Sequence, residues 1–227
     1  MTRTVPALLA IAAVCSLGSS QGSAQAPQIV DSGTLTGTSV TPMGTRTSTE
    51  EFTIVRNADK GFTMTTVSAG DRRMRTVLTT DSLGMPIAYE HHGIGGEAVE
   101  KTIKSNNDGG ALVISESSTR NPPFAPFRVP ANTLLFGEGG LAQVWFLGLG
   151  TVPRDVAYFD TGFWREQKAR LSDAGPDSVT IEGSPVAASH FVLEGGLIKR
   201  EFWLDSQKRV LKVSRGSSFV AVRTKRP

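Results

Sequence analysis

Phe202-Trp203-Leu204-Asp205-Ser206-Gln207-Lys208-Arg209-Val210-Leu211-Lys212-Val213 reads as a strand, a tight turn and a second strand. Aromatic and β-branched residues suit a pleated, half-buried surface. An Asp at the head of a turn accepts hydrogen bonds from the backbone just beyond it. The same grammar occurs earlier, where Leu78-Thr79-Thr80-Asp81-Ser82-Leu83-Gly84-Met85-Pro86-Ile87 aligns with residues 202–211. Hairpins of this kind arise independently, but a repeat would give two related β halves.

Working outward, short runs rich in Val, Ile, Thr and Phe recur along the 227 residues, separated by Gly, Asn and Asp. That rhythm is the mark of an all-β meander, sandwich or barrel. Strands are expected at 29–40, 46–56, 62–68, 72–80, 86–92, 98–105 and 111–118. A second series is expected at 163–171, 178–182, 188–194, 197–204, 210–215 and 219–223. Asn57-Ala58-Asp59-Lys60-Gly61 and Asn106-Asn107-Asp108-Gly109-Gly110 supply turn conformations.

The middle breaks the rhythm. Asn121-Pro122-Pro123-Phe124-Ala125-Pro126 lacks ladder donors and cannot continue a sheet. Beyond it, Leu141-Ala142-Gln143-Val144-Trp145-Phe146-Leu147-Gly148-Leu149 is apolar on nearly every face. It predicts a short helix buried all round, with Glu138 near its start and Gly150 at its end. A buried central strand is the alternative, since a short apolar run does not decide by period. Nine of the sixteen aromatic residues fall between Phe124 and Trp164. They are either the main core or the lining of an apolar pocket. In the second case Phe136, Leu141, Trp145, Phe146, Phe163 and Trp164 are the expected ligand-binding residues.

The expected fold is therefore all-β and mainly antiparallel. It is a strongly curved meander or unclosed β-barrel in two similar halves, about 28–120 and 163–223. Residues 121–162 join the halves and carry one short buried helix. The whole of 27–227 is expected to form a single domain.

The first 26 residues carry an address. Arg3 precedes an apolar run over 5–17, too short to span a bilayer, and Ala24-Gln25-Ala26 fits a cleavage site. A cleaved signal peptide at 1–26 implies a periplasmic or secreted protein. Val14 before Cys15 is not the small residue a lipobox requires. Cleavage leaves 201 residues (227 less 26) without Cys, which excludes disulfides, thiol nucleophiles and iron–sulfur ligation. The mature net charge of +2 is too small to imply nucleic acid. Nine basic residues against Glu201 and Asp205 after Leu197 leave an anionic envelope surface as a partner, or simply a solvated strand face.

The signal peptide, the repeated strand–turn–strand, the Pro-rich break with its buried helix and the late hairpin from Phe202 to Val213 together resemble bacterial secreted domains of unknown function. That group is similar in architecture to the periplasmic lipoprotein carrier and receptor, LolA and LolB. The resemblance implies an unclosed barrel around a helical plug, with acyl chains held inside.

Catalytic motifs are sparse. Asp31-Ser32-Gly33 and Asp160-Thr161-Gly162 match the D-[ST]-G of aspartic peptidases, which need two carboxylates sharing a proton. Asp31 stands too soon after the cleavage site for a lobe to precede it, and Phe163-Trp164 replaces a small residue. Both Asp residues are expected to serve turns. His91 and His92 point to opposite faces of a strand, so they do not share a metal, and a site with His190 would need Glu90 or Glu97. His190 leaves a Ser–His–Asp triad open, but no G-x-S-x-G elbow is present. Phe136-Gly137-Glu138-Gly139-Gly140 is not a dinucleotide fingerprint. No catalytic residue, metal ligand or cofactor is expected. The function indicated is binding of a lipid or acyl chain. An envelope structural or assembly factor is the alternative, and a hydrolase of unrecognised type a distant third. The sequence does not set the oligomeric state.

Overall fold

The computed structural model describes residues 26–70, 73–94, 102–108, 110–117, 125–137 and 140–227. Their strands are β1 (Gln28–Thr41), β2 (Gly44–Arg56), β3 (Phe62–Ala69), β4 (Arg73–Thr80), β5 (Pro86–Gly93), β6 (Thr102–Asp108), β7 (Ala111–Ser117) and β8 (Phe127–Pro130). They continue as β9 (Leu134–Phe136), β10 (Arg154–Asp160), β11 (Arg165–Ile181), β12 (Ser184–Glu194), β13 (Arg200–Leu204), β14 (Val210–Arg215) and β15 (Phe219–Arg223). A 3₁₀ helix, Leu141–Leu149, lies between β9 and β10.

All strands belong to one 15-stranded sheet ordered β8-β7-β6-β5-β4-β3-β2-β1-β15-β14-β13-β12-β11-β10-β9. Neighbours pair antiparallel, except β9 with β10, which are parallel. β1 pairs with β15, so the chain's two β series meet there: Leu35 stands opposite Arg223 and Ser39 opposite Phe219. The two edge strands, β8 and β9, are consecutive in sequence and joined through Ala131, Asn132 and Thr133. The sheet curls into a nearly closed, barrel-like form with one unsealed seam. The expected unclosed, mainly antiparallel barrel with one buried helix is the fold observed.

Alternation sets the inside. On β2, Phe52 and Ile54 are buried while Glu51 is exposed, the period-2 pattern of a half-buried strand. Phe62 and Met64, Leu78, Tyr89, Leu112 and Ile114 continue that inner face, and Phe202, Leu204, Val210 and Val213 close it from the other side. Leu141 to Gly148 are all buried at its centre. Runs of 3₁₀ helix this long are uncommon. This one has apolar contacts all round, with Gly140 before it and Gly150 after it.

The largest differences from the sequence reading lie in three places. Strands β8, β9 and β10 lie inside the segment 121–162 read as joining the halves; β8, an edge strand, tolerates Pro130 as a central strand would not. β11 is one 17-residue strand where two were expected. A register shift between Asp173 and Gly175 absorbs its Gly-Pro step. β6 runs on to Asp108, so the Asn-Asn-Asp stretch is strand rather than turn. Glu138 and residues 121–124 fall outside the described residues, as does the segment expected to be cleaved apart from Ala26. Among the described residues no helix is long and apolar enough to cross a membrane.

Candidate functional site: the plug and the seam

The 3₁₀ helix is a plug that the sheet's side chains hold. Among the described residues no backbone–backbone hydrogen bond ties it to a strand. Its own first turn has no acidic residue and its last turn no basic one. Charges of the right sign come from elsewhere. Helix ends leave unpaired amide donors at the start and unpaired carbonyls at the finish, so acid suits the first and base the second.

At the start, Glu50 of β2 accepts from the Leu141 amide through Oε2 at 2.9 Å and from the Ala142 amide through Oε1 at 2.8 Å. Glu50 is 1% exposed. Burial pushes its pKa up to about 7 from an ordinary 4.5, against the lowering pull of the two amides and of Arg215. Glu50 faces inward because it is in phase with Phe52 and Ile54. The sequence reading passed over that phase, although Thr-Glu-Glu-Phe-Thr-Ile displays it.

At the finish, Lys208 donates to the Gly148 carbonyl at 2.8 Å. Arg154 donates to the carbonyls of Leu147 at 2.8 Å and Thr151 at 2.9 Å. Lys208 comes from the β13–β14 turn, and the β4–β5 turn abuts the same end. A Cβ on Gly84 would lie 3.0 Å from Leu149 and 3.3 Å from Phe146. These are the two turns that echo each other in sequence, and they share a backbone. Asp81 Oδ1 accepts from the amides of Leu83 and Met85, and Asp205 Oδ1 from those of Gln207 and Arg209. The fourth residue is left-handed in both, at φ +81° for Gly84 and +62° for Lys208.

The plug's middle is aromatic. Trp145 meets Phe62 edge-on at 5.0 Å and Phe146 at 5.2 Å. Gln143 Oε1 accepts from the Gly137 amide at 2.9 Å. The Trp145 indole nitrogen and Gln143 Nε2 are buried without a hydrogen-bond partner among the described residues.

The seam carries a second aromatic group. Phe127 on edge strand β8 reaches Phe159 at 5.4 Å and Trp164 at 5.8 Å. Trp164 also meets Phe159 edge-on at 5.8 Å. Phe127 is 40% and Phe163 49% exposed. The turn that presents Phe163 and Trp164 is pinned by Asp160, which accepts from the amides of Gly162 and Phe163 and pairs with Arg200 at 2.5 Å. Arg200 lies in turn over the rings of Phe136 and Tyr158.

The six residues expected to line one pocket therefore divide. Phe136, Leu141, Trp145 and Phe146 are buried in the core, whereas half-buried Trp164 stands at the seam and Phe163, before it in the chain, is exposed. The Asp160 turn, with Trp164 at φ +50°, swings the last two outward. Open clefts occur elsewhere on the molecule. One of about 180 Å³ lies beside Glu50, Leu141, Arg215 and Phe219. Another of about 450 Å³ lies beside Ile29, Arg209 and the residues from Arg223 to Pro227.

The two D-[ST]-G motifs are separate structural devices. Asp160 does cap a turn. Asp31 does not, which corrects the sequence reading: it is a buried residue of β1 that accepts from Arg223 at 2.9 Å and from the Val210 amide at 2.9 Å. Burial raises its pKa against the pull of Arg223. Arg223 also reaches the Ser32 carbonyl, so the ion pair ties β1, β14 and β15 together. His91 is buried against Thr76 at 2.9 Å. His190 stacks on Trp203 at 4.2 Å and bonds Glu201 at 2.8 Å. No group of three metal-binding side chains occurs among the described residues.

No protein-family model and no curated protein matches the chain. Among solved structures it is similar to a beta-barrel-like protein of a domain of unknown function, DUF1849, from Brucella abortus. The TM-score is 0.57 at 11% identity, over 88% of this chain and 98% of that one. At that identity the likeness is one of fold.

Proposed function

We propose that the protein is exported, performs no chemistry and binds an apolar chain, such as the acyl chain of a lipid, at the seam of its barrel. The observation that carries the reading is the aromatic group Phe127, Phe159 and Trp164 at the place where the ladder is open, with exposed Phe163 next to Trp164 in the chain. Clustered exposed apolar residues mark interaction sites. The resemblance to the LolA and LolB group implies an acyl-chain carrier, and the barrel-like neighbour agrees with the fold that such a carrier needs. Export rests on the Ala24-Gln25-Ala26 site, and β1 begins at Gln28, just past that cut. Intact mass of the envelope fraction should start at Pro27.

The test of binding uses cis-parinaric acid, a fluorescent fatty acid. Wild-type protein should bind it saturably. Phe127→Ser with Phe163→Ser should weaken binding at least about tenfold with little loss of stability, since both side chains are part-exposed. Absence of saturable binding by the wild type would remove this reading.

A second reading is contact with an anionic envelope surface, favoured by exposed Lys225 and Arg226 at the rim of the 450 Å³ cleft beside Arg209. Vesicles containing phosphatidylglycerol, with and without 0.5 M salt, distinguish it. Salt should abolish this contact and spare acyl binding.

A further inference from the structure

We propose that the protein docks on an anionic lipid bilayer through one end of its barrel, the end at which Met43, Phe163 and Leu197 stand in three exposed strand connections. What a docked seam takes up rests on the function proposed above, but the docking does not.

Strand directions place the three side chains at one end. β1, β10 and β12 run the same way in the sheet, and the connections that leave them carry Met43, Phe163 and Leu197. Hydrogen bonds join these connections into one rim. The Val40 amide donates to the Ser218 carbonyl at 2.8 Å, and the Gly216 amide to the Lys199 carbonyl at 2.8 Å. The Leu197 amide donates at 3.2 Å to Gln167 Oε1, on the strand that follows Phe163. Met43 is 84% and Leu197 53% exposed. Met43 reaches past the sheet, because β15 pairs with β1 only as far as Ser39, and β3 with β2 only from Thr49 onward. Val40, on the same two-stranded ribbon, is exposed as well.

Single exposed apolar residues are ordinary. Three at the tips of one rim, each with a cation behind it, form an amphipathic end. Arg46 follows Met43, Arg165 follows Phe163 and Lys199 follows Leu197, each exposed and each within three residues. Lys168 adds a fourth cation. Among the described residues Glu166 and Glu194 are the exposed acids beside them, and Lys199 contacts Glu194 at 3.4 Å and Glu201 at 3.1 Å. An anionic bilayer fits this arrangement: the tips enter the acyl boundary while the long cations stay at headgroup level. Trp164 follows Phe163, so docking brings the seam's aromatic group up to the bilayer. The opposite end exposes Leu83, which has Asp81 beside it in its turn, and Ile29, in the cleft that carries the second reading.

Flotation of the full mature chain with vesicles of phosphatidylethanolamine and phosphatidylglycerol tests this. The wild type should float with them, and part of the binding should survive about 0.5 M salt, which screens the cations but not the inserted tips. Met43→Ser with Leu197→Ser should weaken vesicle binding at least about tenfold and leave cis-parinaric acid binding unchanged. Both side chains are exposed, so the fold should not suffer. Leu83→Ser should bind vesicles as the wild type does. A wild type that does not float would overturn the proposal without need of any variant, and would leave the rim to a protein partner. Wild-type binding in Met43→Ser with Leu197→Ser would also overturn it, as would an equal loss in Leu83→Ser. Loss on Lys225→Gln with Arg226→Gln while the rim variant still binds would move the contact to the opposite end. Failure to bind fatty acid would leave these results untouched.

Discussion

The two ends of the plug are held by opposite means. The first turn depends on one carboxyl, 1% exposed, that serves two amides at once. The last turn depends on two cations closer to water: Lys208 is exposed and Arg154 half-buried, each serving its own carbonyl. A buried single anchor is strong when paired and expensive when altered. Distributed, hydrated anchors are individually weak and replaceable. The plug therefore has a stiff, titratable end and a soft, redundant one, and that contrast can be broken from either side.

The largest effect should follow removal of the stiff anchor. Glu50→Ala strands two buried amides, at about 1–3 kcal/mol each, and leaves a void beside Leu141. A loss of roughly 2–5 kcal/mol in urea unfolding at pH 5 is expected. A loss below about 0.5 kcal/mol would show that the first turn is held by packing alone.

Next comes the pH dependence of the whole fold. Glu50 has a raised folded-state pKa, so its contribution is complete below pH 4.5 and declines as the pH rises to about 7. The decline is on the order of 3 kcal/mol. Glu50→Gln, which keeps one acceptor, should be less stable than wild type at pH 5, and the gap should narrow by pH 8. A gap that widens with pH would mean that the ionised carboxylate is the stabilising form.

Much of this was legible beforehand, and what was not has physical reasons. The plug showed itself because nine residues apolar on all faces have no home but a core. The Asp81 and Asp205 turns matched because a turn is local chemistry. Asp31 misled because its partner, Arg223, lies 192 residues away, across a strand pairing that no local pattern announces. β8 was hidden by the prolines at 126 and 130, β9 by its three-residue length, and Val156-Ala157-Tyr158-Phe159 of β10 read as the approach to a motif rather than as a strand. Glu50 was hidden by its neighbour, since Glu50-Glu51 looks like a solvated pair until the phase with Phe52 is counted. The seam's aromatic group needed the sheet order, which brings Phe127 beside β10.

The soft end yields smaller effects, and the two echoing turns set their order. Gly84→Ala places a Cβ 3.0 Å from Leu149 at φ +81°, so strain and contact add. A loss of about 1–2 kcal/mol is expected, read as a lowered urea midpoint with unchanged slope.

Lys208→Gly should do least. Lys208 occupies the position equivalent to Gly84, at φ +62°, where a Cβ costs conformational energy of about 1 kcal/mol. Glycine removes that cost but loosens the unfolded chain. It also removes the Gly148 cap, worth about 0.5–1.5 kcal/mol at a part-buried site. Opposed terms of similar size leave a net change within about 1 kcal/mol. Lys208→Ala keeps the strain and loses the cap, so it should be the worse of the two. If glycine proves the more damaging, the Lys208 turn is unstrained and the cap is not what holds the soft end. The two turns would then share a sequence pattern without sharing an energetic reason for it.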